Sequence, residues 1–164
     1  MTVIRVQRED FDPGQALAEI ASGRPGIGGI ASFIGLVRGE ASGRRVETMT
    51  LEHYPGMTER ALAEIEAEAH RRWPLDAVLI IHRYGRLEPG ERIVLVATAS
   101  AHRQAAFDGC QFLIDWLRTR GPGFAEALKD LKVVRVAVNQ EHVGRDHPLR
   151  PGDEVALFPP VTGG

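Results

Sequence analysis

The sequence predicts an α+β fold, and three observations carry that reading. Apolar residues recur at helical spacing in two segments, Leu62, Ile65, Ala69 and Trp73 in one and Ala106, Cys110, Leu113, Ile114 and Leu117 in the other. Apolar runs of strand length, Ile30 to Val37, Ala77 to Arg83 and Arg92 to Ala99, lie around them. Glycine and proline clusters such as GRPGIGG and LEPGE separate these runs as turns would.

In chain order, Thr2 to Gln7 alternates as a short strand. Asp12-Pro13 starts a helix, the aspartate supplying a capping acceptor and the proline a preset φ, with Leu17 and Ile20 facing inward. Gly23 to Gly29 then breaks the chain ahead of the strand Ile30 to Val37, which Gly35 interrupts. Gly39 to Arg45, with Ser42-Gly43 at its middle, reads as a turn or mobile loop. Val46 to His53 returns as an alternating strand, so these two strands are expected to form a hairpin.

The helix within PGMTERALAEIEAEAHRRW stops at Pro74, which lacks an N–H and clashes with the preceding turn. Ala77 to Arg83 and Arg92 to Ala99 are strands joined across LEPGE, and Ser100 stands where an N-cap belongs for the next helix. Beyond Arg120 the texture changes. GPGF breaks the pattern, Val133 to Val138 reads as a strand, and HPLRPGDEV turns the chain into a last strand, Glu154 to Phe158, and a glycine tail. A seam near Gly121 divides residues 1–120 from 121–164.

Composition narrows the function classes. With 164 residues, 43% hydrophobic, 26% charged and a formal net charge of -2, the chain is of ordinary globular type, with no bulk attraction to nucleic acid or membrane. Its apolar runs are too short to span a bilayer and its start lacks a signal peptide's apolar stretch, so a cytoplasmic address is expected. Cys110 is the single cysteine, which excludes an intramolecular disulfide and a cysteine-based cluster. His53, His70, His142 and His147 show no metal-ligand spacing, His82 fits core or surface equally, and neither a metal nor another cofactor is expected.

Three stretches could carry chemistry. SFIGLVRGE places Arg38 just past a strand end, where a guanidinium can grip phosphate through paired hydrogen bonds or simply be solvated. ASAHRQAAF puts His102 and Arg103 in the first turn of a helix, where backbone N–H groups already attract anions and a cation is otherwise disfavoured. Cys110 shares the apolar face of that helix and reads as an inert buried thiol. The ending FPPVTGG is a frayed terminus or a side-chain-free probe on a stiff stalk, able to present a carboxylate inside another protein's pocket.

In order along the chain, VQREDFDPG, ASFIGLVRG, LEHYPGM, HRYGRLEPGE, ASAHRQAAF and FLIDWLRTR resemble the catalytic large subunit of the molybdopterin synthase family, over about residues 2–120. VAVNQEHV, HPLRPGDEVA and FPPVTGG resemble the later half of its small, ubiquitin-like sulfur-carrier subunit, over about 121–164. The resemblance implies an α/β-hammerhead domain followed by a partial β-grasp segment. It implies sulfur transfer onto cyclic pyranopterin monophosphate, one sulfur per visit of a carrier whose terminal glycine, here Gly164 after Gly163, bears a thiocarboxylate. Phe33, Arg38, His102 and Arg103 would line the substrate pocket. The implied partners are the carrier subunit, an adenylating enzyme of the ubiquitin-activating type, and a second copy of the chain.

The chain also departs from the family pattern. Arg118 stands where the family has a lysine, and Ala125 lies near the position of a second, with Lys129 and Lys132 close by in sequence. Arginine holds an anion but stays protonated, so it cannot act as an amine base. Two alternatives to a competent synthase therefore stand beside it: a carrier or interaction module working through the Gly-Gly tail, and a pterin-phosphate-binding protein without turnover.

Overall fold

The computed structural model describes residues 1–41, 44–120, 135–138, 141–143, 148 and 155–158. The chain divides into two compact units, Met1–Gly123 and Phe124–Gly164.

The first unit is built on a four-stranded sheet of β1 (Thr2–Gln7), β6 (Ala77–Arg83), β8 (Arg92–Ser100) and β2 (Gly29–Leu36), in that spatial order. β1 runs parallel to β6, while β6–β8 and β8–β2 are antiparallel. Alternation along β6 sorts its apolar side chains onto two faces. Ala77, Leu79 and Ile81 meet Phe11, Ala16 and Ile20 from α1 (Pro13–Ala21) and the loop before it. Val78 and Ile80 meet Leu62 and Ile65 of α2 (Met57–Arg72) and Ala106, Cys110 and Leu113 of α3 (Arg103–Arg120). Burial on both faces explains why AVLII reads as an unbroken apolar run.

The helix starts follow local chemistry. The Asp12 carboxylate accepts the Gln15 N–H at 2.9 Å, with Pro13 at the first helical position, as the sequence predicts. Gly56, at φ 79°, lets the chain enter α2 in the left-handed region, and its N–H donates to Glu59.

Two expectations are corrected. Ile30 to Val37 and Val46 to His53 do not pair as a hairpin. β2 pairs instead with β8, Gly29 opposite Ser100 and Phe33 opposite Val96, an alignment that puts Ala31 in the core beside Ala106 of α3. The predicted Gly39–Arg45 loop closes on itself as β3 (Glu40–Ala41) and β4 (Arg44–Arg45). Of 46–53 only β5 (Met49–Leu51) is strand, paired with β7 (Gly85–Leu87), an element that periodicity did not reveal. The second correction concerns Ser100, which is the last residue of β8 rather than an N-cap. Its hydroxyl donates to the Pro74 carbonyl at 2.8 Å and accepts the His102 N–H at 3.1 Å, so α3 begins at Arg103.

The second unit contains β9 (Arg135–Val138), β10 (Glu141–Val143) and β11 (Val155–Phe158) in the order β10-β9-β11, antiparallel throughout. The first and last match the expected strands within their described residues; β10 was not expected. The predicted seam at Gly121, GPGF, Ala125, Lys129, Lys132, His147 and the tail Gly163-Gly164 lie outside the described residues.

Candidate substrate-binding site

The site is built on β2 and α3, which run side by side in the same direction. Three contacts fix this alignment. A Cβ on Gly29 would lie 3.8 Å from the Arg103 Cα; Thr98, opposite Ala31, donates to the Ala106 carbonyl at 2.6 Å; and the Cys110 thiol faces the Val96 carbonyl, opposite Phe33, at 3.9 Å. Gly28 sets how closely the two elements approach. Its N–H donates to Ser100 at 3.0 Å, and a Cβ there would land on the Ala101 carbonyl oxygen, so only glycine lets β2 start against the turn that carries His102 and Arg103.

Gly35 has a related role further along. A Cβ there would meet Val94 at 2.8 Å and the Phe33 ring at 3.3 Å, so the strand's interrupting glycine makes room for that ring. Phe33 is 40% exposed and lies at the middle of the strand.

Arg38 follows the end of β2, and Arg118 lies near the end of α3. Nine residues of extended chain separate Gly29 from Arg38, about 30 Å. Fifteen helical residues separate Arg103 from Arg118, about 22 Å. The structure thus brings Arg38 and Arg118 toward one end of the β2–α3 pair and His102 with Arg103 to the other. A single chain does not bring Arg38 and Arg103 onto one phosphate. His102 sits just before the helix, its carbonyl accepting the Ala106 N–H at 3.3 Å, rather than within its first turn.

Like Arg45 and Arg86, these cations have nothing to hold among the described residues, in contrast to most other arginines. Arg38, His102, Arg103 and Arg118 are exposed, and their side chains make no hydrogen bond or ion pair among the described residues. Arg5, Arg24, Arg71, Arg72, Arg83 and Arg92 are each engaged by carboxylates or carbonyls. Residues 1–120 contain no lysine, so every cation of fixed side-chain charge there is a guanidinium.

Cys110 is buried, and burial pushes its thiol up to about 11, which removes it as a nucleophile near neutral pH. His82 is held down at about 4, chiefly by burial, and so stays neutral in the core.

An α+β domain with guanidinium groups at both ends of one exposed strand, unpaired among the described residues, has the side chains that anion binding calls for. Comparison with known proteins narrows that class. The family model "MoaE protein" matches residues 6–120, and the chain belongs to that family. A second model, "ThiS family", matches residues 87–164 and so shares β8 and α3 with the first. The chain is 59% identical over 119 residues to the molybdopterin synthase catalytic subunit of Pseudomonas aeruginosa, covering 73% of this chain and 79% of that one. Among solved structures it is similar to the molybdopterin biosynthesis MoaE protein of Burkholderia ambifaria, with a TM-score of 0.68, 49% identity, and coverage of 74% and 79% of the two chains. The fold also recurs in a complex of subunits 1 and 2 of molybdopterin-converting factor from Helicobacter pylori, with a TM-score of 0.61, 15% identity, and coverage of 73% and 80%.

Proposed function

We propose that this chain is a sulfurtransferase of molybdenum cofactor biosynthesis, moving sulfur from the thiocarboxylate of a small carrier subunit onto cyclic pyranopterin monophosphate. The observation that carries the reading is the placement of four cations without partners among the described residues, Arg38, His102, Arg103 and Arg118, along β2 and α3 in a chain of the MoaE family. A cyclic phosphate has to be held while a neighbouring carbon is attacked, and guanidinium groups hold phosphate through parallel hydrogen bonds without entering the chemistry. Phe33 offers an exposed aromatic surface on the same strand. The partners of this reading are the carrier subunit and a second copy of the chain, in the cytoplasm.

The test is binding of the purified pterin phosphate, followed by single-turnover formation of the dithiolene product with thiocarboxylated carrier. Saturable binding that weakens at least tenfold in Arg38→Ala and in Arg103→Ala is expected. Unchanged affinity in both variants would sink the assignment.

Arg118 favours a second reading, binding without turnover. It stands at the lysine position of the family pattern and offers charge without a nitrogen that titrates near neutral pH. Binding with no dithiolene product, and gain of product in Arg118→Lys, would select it. The ThiS-family match supports a further role for the Gly163-Gly164 ending, as a carrier terminus charged by an adenylating enzyme. Mass spectrometry of the chain after incubation with such an enzyme, ATP and a sulfur donor tests this through replacement of the terminal carboxylate oxygen by sulfur.

A further inference from the structure

The Arg38 side chain has no partner among the described residues, yet the backbone on both sides of it is fixed by a single turn, residues 88–91. Val37, which is buried, donates its N–H to the Glu91 carbonyl at 2.9 Å and accepts the Gly90 N–H at 2.8 Å. On the other side a Cβ on Gly39 would lie 3.8 Å from the Pro89 side chain. The β2–β8 ladder does not reach this far in regular register. Gly35 stands opposite Val94 but Leu36 opposite Arg92, so Ile93 is left without a partner and the strand is free to change direction just before Arg38. The turn, rather than the ladder, decides where Arg38 starts from.

The turn is held in its own place by Glu91. Its N–H donates to the Glu88 carbonyl at 3.0 Å across Pro89 and Gly90, and Gly90 has φ 89°, the combination a type II turn uses. The Glu91 carboxylate then makes two further connections. Oε2 accepts the Glu88 N–H at 2.6 Å, and Oε1 accepts from both terminal nitrogens of Arg83, at 3.2 and 3.3 Å. Arg83 is buried and is anchored independently by the Arg8 carbonyl at 3.0 Å and the Arg92 carbonyl at 2.9 Å. One carboxylate thus ties an exposed turn to a guanidinium fixed in the core.

We infer that Glu91 is a positioning residue for substrate binding: by joining the 88–91 turn to the buried Arg83, it sets where Arg38 presents its guanidinium to the substrate phosphate. Paired hydrogen bonds to a phosphate need the guanidinium at the right distance and in the right plane, so a displaced strand end forfeits part of the grip even with Arg38 intact. The inference rests on the function proposed above for the identity of the ligand.

A double-mutant cycle on binding of pterin phosphate tests it. Glu91→Ala is expected to weaken binding about fivefold in the otherwise wild-type chain and to add nothing in the Arg38→Ala background, where the group it positions is gone. A merely structural Glu91 would weaken binding by the same factor in both backgrounds, which would overturn the inference. Glu91→Gln, which keeps the size of the side chain, should show the same pattern on a smaller scale if Glu91→Ala does not fold. Without ligand, the Val37 amide should exchange with deuterium about tenfold faster in the Glu91 variant while the β6 amides are unchanged. Unaltered exchange at Val37 would also overturn the inference. A wild-type chain that binds no pterin phosphate overturns the proposed function and the substrate role of Glu91 with it, whereas wild-type binding with equal losses in the two backgrounds overturns this inference alone.

Discussion

Two groups of arginines in this molecule teach opposite lessons. Near the Tyr84 end of β6, the Arg83 guanidinium is almost wholly buried and donates to the Arg8 and Arg92 carbonyls and to Glu91, while Arg92 pairs with Asp10. The Arg92 guanidinium, with Arg83 behind it, holds the Asp10 carboxyl down at about 2. Along the β2–α3 edge, Arg38, Arg103 and Arg118 have no such partners among the described residues. A guanidinium enclosed by acceptors is part of the fold, and one left without them is available to a ligand.

The contrast breaks most readily at Arg83. Arg83→Ala takes the guanidinium donor from two carbonyls and from Glu91 Oε1, while Glu91 keeps the Glu88 N–H, and should cost about 3 kcal/mol, read as a lower urea midpoint at unchanged slope. A loss below 1 kcal/mol would show that the paired group is not structural after all.

His82, one residue earlier on the same strand, sharpens the point by pH. Its imidazole takes up a proton near pH 6.5 when unfolded but only near 4 in the native core. Above pH 6.5 both states are neutral there. Between 6.5 and 4 only the unfolded chain is protonated, so stability falls across that window, by about 3 kcal/mol at most. His82→Gln should flatten that part of the pH–stability curve.

Gly28→Ala comes next. Its Cβ would strike the Ala101 carbonyl and push the His102–Arg103 turn away from β2, at a cost of about 2 kcal/mol together with loss of pterin-phosphate affinity. Full retention of affinity would show that the clamp does not position those cations. The smallest effect on stability is expected at the unpaired arginines themselves. Arg38→Ala and Arg103→Ala should stay within about 0.5 kcal/mol of the wild type while losing anion affinity, the reverse of Arg83→Ala.

Much of the fold was legible because it is local. The Asp12-Pro13 cap, the Pro74 stop and the two-faced apolar run of β6 each follow from a few adjacent residues. The hairpin was misread because β2 finds its partner some sixty residues on, in β8, and local alternation carries no information about that choice. β7 escaped notice because three residues are too few to show a period. At the site, the types were legible and the arrangement was not. Arg38 and Arg103 were each visible as anion-binding candidates, but their placement at opposite ends of one strand depends on the alignment of β2 with α3, which rests on the approach of Gly28 to Ala101, far along the chain, and on the Thr98 bond to Ala106.

The central strands have a consequence in time as well as in space. β6 and β8 are paired along both edges and covered on both faces, so their amide protons can reach solvent only when the whole sheet opens. Deuterium should enter them last, at a rate that reports global unfolding. The three-residue ladder of β5 and β7 has a single partner on each side of its pairing and should exchange in minutes. The slowest-exchanging amides therefore map onto the two strands against which β2 and α3 are aligned, and the cation-bearing edge rests on the most slowly opening part of the molecule.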